Sequence, residues 1–156
     1  MNPKISVLMG IYNCADTLPQ AVASIQKQTY PNWELILCDD GSSDHTYEVA
    51  QALAAKDDRI VLLHNDRNLG LNQTLNACLA VATGDYIALL DHDDILHPCA
   101  LWYVAEAIAK QGADFVYTDE VTFEGDIDHL TVYHFKPDYM PVSYTHLRAH
   151  ETDSYL

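Results

Sequence analysis

The chain is predicted to be an α/β domain with a mostly parallel sheet and helices on both faces. Three observations predict it. Apolar runs of strand length alternate with stretches of helical period, Gly and Pro punctuate several of the changeovers, and polar clusters recur just past the apolar runs. At 156 residues the chain is one domain or part of one, long enough for a real core.

Taken in order, Ile5 to Ile11 is a continuous apolar run and reads as the first strand. Asp16 or Thr17 can cap a helix whose apolar positions Leu18, Ala21, Val22 and Ile25 follow the helical period. Trp33 to Cys38 is the second strand, and a helix follows from about Asp44 to Ala55. Arg59 to His64 is the third strand; Leu71, Leu75, Cys78, Leu79 and Ala82 mark the third helix. Gly84-Asp85 turns the chain into the run Tyr86 to Leu90. Pro98 suits the first turn of a fourth helix with the stripe Leu101, Val104, Ala105 and Ile108, ended by Gly112. Phe115-Val116-Tyr117 reads as a fifth strand. Residues 142–156 show no clean period and are expected to be a foreign or disordered tail, which leaves 1–141 as the domain, cut before completion.

In such sheets ligands bind outside the carboxyl ends of the strands. Tyr12-Asn13, Asp39 to Asp44 and Asp91 to Asp94 fall there, and Thr118-Asp119-Glu120 would follow the fifth strand. Asp91-His92-Asp93-Asp94 is the sharpest of these. On extended backbone Asp91 and Asp93 point the same way, and two hard oxygen ligands suit Mg²⁺ or Mn²⁺ when a substrate phosphate completes the shell. An acidic turn with an Asp helix cap competes, and it accounts for one Asp better than for three. His92 reads as a spacer within that cluster. Asp40 can accept the imide N–H of a uracil or thymine ring, and Tyr12 can supply a stacking face; turn chemistry is the competing account of Asp39-Asp40-Gly41-Ser42-Ser43-Asp44.

Lys plus Arg number 8 against 23 Asp plus Glu, a formal charge of −15, which argues against nonspecific binding to nucleic acid or to an anionic membrane. A divalent cation can still bring a phosphorylated ligand to such a surface. The spacing of Cys14, Cys38, Cys78 and Cys99 matches no zinc pattern, and Cys38 and Cys78 are expected in the core. No signal peptide or membrane-spanning run is read.

As an ordered set these motifs resemble the family-two glycosyltransferases with the GT-A (Rossmann-like) fold, of the bacterial type that builds surface polysaccharides. The matching residues are Ile5 to Asn13, Ser24 to Tyr30, Trp33 to Asp44, Asn68-Leu69-Gly70, Asn76, Ala82 to Tyr86 and Leu90 to Asp94. Tyr117 to Glu120 and Phe135 to Asp138 extend the likeness, which covers residues 4 to about 141. The resemblance implies transfer, with inversion, of a sugar from a UDP- or dTDP-sugar to an acceptor hydroxyl on a saccharide or a lipid-linked carrier. It implies nucleotide binding by Tyr12, Asn13, Asp40, Arg67 and Asp91, a Mn²⁺ or Mg²⁺ ion on Asp93 with Asp91, and a donor sugar near Asp94, Asp119 and Glu120. The family's catalytic base lies in a later acidic motif that this sequence lacks, so binding of donor with poor turnover is expected. A cytoplasmic location follows, with peripheral attachment at the inner membrane face as the variant, and self-association through exposed apolar surface is an open expectation. Two alternatives compete. One is a haloacid-dehalogenase-like phosphatase using Asp91 and Asp93; the other is a nucleotide-binding module without catalysis.

Overall fold

A computed structural model describes residues 2–124 and 129–136. The chain divides into two compact units after Asp114.

The first unit alternates strand and helix, as expected. Its elements are β1 (Ile5–Ile11), α1 (Leu18–Gln26), β2 (Trp33–Asp39), α2 (Thr46–Ala54), β3 (Ile60–His64), α3 (Leu71–Val81), β4 (Tyr86–Leu89) and α4 (Ala100–Gln111). The four strands form one parallel sheet in the order β3-β2-β1-β4. β1 and β2 are central and covered on both faces, which is why their sequences are apolar almost throughout. The edge strands β3 and β4 are only partly buried.

Alternation along the strands sorts the core into two layers. Val7, Met9, Ile11, Leu35 and Leu37 pack with Leu18, Ala21, Val22 and Ile25 of α1, Ala50 of α2, and Leu101 and Ala105 of α4. Leu8, Ile36 and Cys38 pack on the other side with Cys78 of α3. Cys38 and Cys78 are thus core residues, and all four cysteines are free. On this second face Ile87 and Leu89 of β4 stay exposed, Leu89 to 67%, and Leu79 and Val81 of α3 are exposed too.

The amino ends of the strands are tied by a buried carboxylate. Glu34 accepts from Lys4 Nζ (2.6 Å), Ser6 Oγ (2.6 Å) and Thr83 N (2.7 Å). Gly84 N donates to Ser6 Oγ, and a Cβ on Gly84 would lie 2.6–2.8 Å from Ser6 and the Lys4 carbonyl. Only glycine lets the turn before β4 close onto β1 here.

Two boundaries differ from expectation. α4 begins at Ala100, so Pro98 lies before the helix, where its carbonyl accepts from Thr29 N (2.8 Å). Phe115-Val116-Tyr117 is not a strand. The second unit instead pairs β5 (Glu120–Phe123) with β6 (Leu130–His134) as an antiparallel ladder. An apolar triplet meets the composition of a strand, but the ladder forms where cross-strand partners exist: Val121 lies opposite Tyr133 and Thr122 opposite Val132. The expected tail, 142–156, lies outside the described residues.

Candidate functional site: the carboxyl rim of the sheet

The strand order places a topological switch between β1 and β4, with the chain running outward to β2 and β3 on one side. The loops after β1, β2 and β3 and the acidic turn after β4 all leave from this rim. β2 and β4 flank β1, about 10 Å apart across the sheet at ordinary strand spacing, and β4 stops three residues short of β2 along β1, Leu89 lying opposite Leu8 and Asp39 opposite Ile11.

The loops after β1 and β2 are clasped together. Asn13 adopts a left-handed backbone (φ 48°), tolerable for Asn. Its N–H donates to Ser42 Oγ (3.0 Å), and its Oδ1 accepts from Ser43 N (2.8 Å). Cys14 N donates to Thr46 Oγ1 (2.7 Å), while Asp44 accepts from Thr46 N (2.9 Å) and caps the approach to α2. Asp44 is held below the usual carboxylate range, chiefly by Thr46. Asn13, expected to bind nucleotide, is thus a structural link whose side chain shapes the rim. Tyr12 beside it is 43% exposed, and its ring is available for stacking.

Asp39 and Asp40 both turn inward. Asp39, fully buried, accepts from Ser42 Oγ (2.5 Å), Ser42 N (3.2 Å) and His64 Nδ1 (3.0 Å). The His64 ring also meets Tyr47 at 4.5 Å between centroids. Asp40 is 4% exposed, and its Oδ1 accepts from Asn65 Nδ2 (2.8 Å) and Leu69 N (2.9 Å). Its Oδ2 accepts from Gly70 N (2.9 Å). Burial opposes its ionisation, but the Leu69 and Gly70 N–H groups with Asn65 and Thr74 outweigh that and hold the carboxyl below its ordinary range. Asn65, Leu69 and Gly70 thus hold both carboxylate oxygens from the side of the loop after β3.

Gly41 completes the contact with the loop after β3. It has φ +70°, and a Cβ there would stand 2.6–2.9 Å from the backbone of Arg67 and Asn68. Gly41→Ala is therefore expected to displace the Arg67 loop and to weaken nucleotide binding about tenfold or more, because both a left-handed φ and a backbone collision oppose it. Isothermal titration with UDP checks this, and unchanged affinity would count against the contact's importance. Arg67 itself is exposed and forms no ion pair among the described residues, despite the acidic surface around it.

The acidic cluster departs from its expected geometry. β4 ends at Leu89, and Asp91–Asp94 folds as a turn in which Asp94 N donates to the Asp91 carbonyl (3.2 Å). The alternation rule that set Asp91 and Asp93 on one face applies to extended backbone and does not govern them. His92 shares a hydrogen bond with Thr17 Oγ1 (3.3 Å), so it anchors the turn to the start of α1. Asp91 and Asp93 are exposed, and among the described residues neither carboxylate has a hydrogen bond or ion pair. No three His, Cys, Asp or Glu side chains form a ready-made metal cage among those residues. Two free carboxylates fit a cation whose remaining ligands come from water and substrate, the usual arrangement for Mg²⁺ with phosphates.

Asp119 and Glu120 belong to the second unit, where Lys136 engages both: its N–H donates to Asp119 Oδ1 (2.7 Å) and its Nζ to Glu120 Oε1 (2.8 Å). A groove of about 440 Å³ lies at the opposite, amino end of the sheet, lined in part by Tyr30, Pro31, Trp102 and Glu106. None of the expected site residues lines it.

The site contains two participants the sequence did not single out, Asn65 and His64. Asn65 is an ordinary loop residue by type, without a distinguishing signal, whereas Ser42 stood inside the Asp39 to Asp44 cluster. His64 could have been suspected, since it closes a strand at the rim.

Comparison with known proteins gives one consistent answer. A family model described as "Glycosyl transferase family 2" matches residues 6–153. "Putative glycosyltransferase EpsE" of Bacillus subtilis (strain 168) is 55% identical over 97 residues, covering 62% of this chain and 35% of that protein. "UDP-Glc:alpha-D-GlcNAc-diphosphoundecaprenol beta-1,3-glucosyltransferase WfgD" of Escherichia coli is 39% identical over 113 residues, covering 72% of this chain and 44% of that one. The crystal structure of S. aureus TarS 1-349 in complex with UDP-GlcNAc matches with a TM-score of 0.67 at 25% identity, over 71% of this chain and 32% of that chain. The chain spans less than half the length of each of these relatives.

Proposed function

This chain belongs to glycosyl transferase family 2 and has the GT-A fold; from that premise we propose that its rim binds the nucleotide-diphosphate-sugar donor of a transferase that glycosylates an acceptor hydroxyl. The observation that carries the reading is the rim itself. Four loops converge at the carboxyl ends of parallel strands. Pinned Asp40 lies on one side of the β1–β4 switch, and on the other lie Asp91 and Asp93, without partners among the described residues.

Each role follows from chemistry available at that place. Tyr12 presents a ring face to a base, and the Asp40 carboxylate, an ionised acceptor at the same rim, has the chemistry that suits the imide N–H of uracil or thymine. Arg67 supplies a guanidinium for phosphate oxygens. Asp91 and Asp93 would hold Mn²⁺ or Mg²⁺, and a divalent ion there supplies positive charge against the departing diphosphate. Displacement at the anomeric carbon by the acceptor oxygen inverts its configuration, and a base must take the acceptor proton. No residue is assigned as that base. Relatives support the donor class: TarS was crystallised with UDP-GlcNAc, and WfgD is named for UDP-Glc and a diphosphoundecaprenol-linked acceptor. A saccharide or lipid-linked acceptor in surface-polysaccharide synthesis is the corresponding proposal here, performed at the cytoplasmic face of the membrane. No described helix is long and apolar enough to cross a membrane.

The phosphatase and the non-catalytic module gain no support from the comparisons. Calorimetry with UDP, dTDP, GDP and ADP, with and without Mn²⁺, tests the proposal. A saturable response to UDP or dTDP that requires Mn²⁺ is expected; equal responses to all four nucleotides would refute it.

A further inference from the structure

We infer that Asn65 is a positioning residue for the donor diphosphate, acting through Arg67. The inference rests on the transferase reading of the rim and adds to it a residue that touches no ligand.

Asn65 is the first residue beyond β3. Its own N–H donates to the Asp39 carbonyl (2.8 Å), which fixes its backbone as a continuation of the ladder. Its Nδ2 then donates to two buried acceptors, Asp40 Oδ1 (2.8 Å) and Thr74 Oγ1 (3.3 Å). One amide thereby joins the end of β2 to the first turn of α3. The same Asp40 carboxylate accepts Leu69 N and Gly70 N. Thr74 Oγ1 donates to the Gly70 carbonyl (3.1 Å).

The three residues between, Asp66, Arg67 and Asn68, are exposed and are held at both ends by this one network. Gly41 supports them from beneath, where there is no room for a Cβ. The result is a short loop fixed in advance, with the Arg67 cation near its middle. A side chain mounted on a pre-ordered loop binds an anion without first losing loop entropy, so the order itself contributes affinity. Removing the Asn65 side-chain amide leaves the Asp40 carboxylate short of one donor and loosens the near end of the loop, which keeps only the backbone bond from Asn65 N to the Asp39 carbonyl. Arg67 then bears the ordering cost at the moment of binding.

A double-mutant cycle tests this. Asn65→Ala, Arg67→Ala and the double variant are titrated with UDP and with uridine in the presence of Mn²⁺. Arg67→Ala should weaken UDP about tenfold, the loss of one charge-assisted phosphate contact. Asn65→Ala should weaken it about fivefold, and the double variant should be no weaker than Arg67→Ala alone. Uridine, lacking the diphosphate, should respond to Arg67→Ala by no more than about twofold, and Asn65→Ala should weaken uridine less than UDP, because Leu69 N and Gly70 N still hold the Asp40 carboxylate that meets the base, a selectivity that simple destabilisation would not produce. In the free protein, amide exchange at Leu69 and Gly70 should quicken in Asn65→Ala and stay at the wild-type rate in Arg67→Ala. Should Asn65→Ala not fold, Asn65→Ser replaces it, since its hydroxyl is too short to reach Asp40. Additive losses, or unchanged Leu69 and Gly70 exchange, overturn the inference while wild-type UDP binding stands. A wild-type chain that ignores UDP overturns the transferase reading and this inference with it.

Discussion

Asp93→Ala is expected to reduce Mn²⁺-dependent UDP binding by about a hundredfold, on the order of 3 kcal/mol. The surface carries a formal charge of −15, so a nucleotide diphosphate reaches it only where charge is compensated locally. In the proposed site Arg67 would supply one such charge and a cation on Asp91 and Asp93, whose carboxylates have no partner among the described residues, would supply the other. Removing one of the two proposed protein ligands would then take half of the chain's hold on that cation. Asp57→Ala is the matched control. Asp57 lies at the amino end of β3, where Arg59 holds its carboxyl down to about 2 through side-chain hydrogen bonds of 2.8 and 2.9 Å and a backbone one of 3.1 Å, with Gln26 adding a fourth at 3.2 Å. Its loss removes negative charge and some local stability without touching the rim. Titrations are run at a temperature where both variants are folded. Identical UDP isotherms for the two would remove Asp93 from the site.

Glu34→Ala should lower the stability of the first unit by about 3 kcal/mol, or roughly 10 °C in Tm. Glu34 is 8% exposed, and its removal takes the acceptor from Ser6 Oγ and Thr83 N and leaves the Lys4 ammonium with Thr83 Oγ1 but no counter-charge. Lys4 is a third exposed and recovers some hydration, which keeps the figure toward the lower end for a broken buried pair. The same carboxylate sets an acid limit. Burial pushes its pKa up, but the hydrogen bonds from Lys4, Ser6 and Thr83 outweigh that and pull it from 4.5 down to about 2. The unfolded chain therefore binds this proton more tightly than the folded one. The contribution is complete above pH about 5 and is lost as pH falls from about 4.5 towards 2, a change on the order of 3 kcal/mol. Glu34→Gln should flatten the acid limb of a stability–pH curve measured by urea unfolding. A limb of unchanged slope would show that other carboxylates govern it.

The first unit was legible because its physics is local. β1 and β2 are apolar almost throughout since both faces are covered, and α1 repeats its buried positions with the helical period. Strand–helix alternation then fixes which ends carry the ligand loops, which is how Tyr12, Asp40 and Asp91 could be grouped from afar. What failed was reasoning that needed a partner or a boundary. The fifth strand went to Glu120–Phe123 because hairpin pairing, absent from any local window, selects it. The common direction assigned to Asp91 and Asp93 depended on β4 continuing, and it stops two residues before Asp91. Glu34 did leave a signal: one charge inside Trp33-Glu34-Leu35-Ile36-Leu37 must be compensated if the strand is central. Asn65 left none, because an amide side chain between a strand and a helix is commonplace until its two acceptors are seen.

The uncovered Ile87 and Leu89 bear on how this polypeptide behaves in the test tube. β4 closes the described sheet on one side with open strand hydrogen-bonding groups and greasy side chains, the combination that templates intermolecular pairing. Concentrated samples should accordingly clump by adding strand to strand, and a lysine substituted for Leu89 should raise the working concentration without altering the loops at the carboxyl rim.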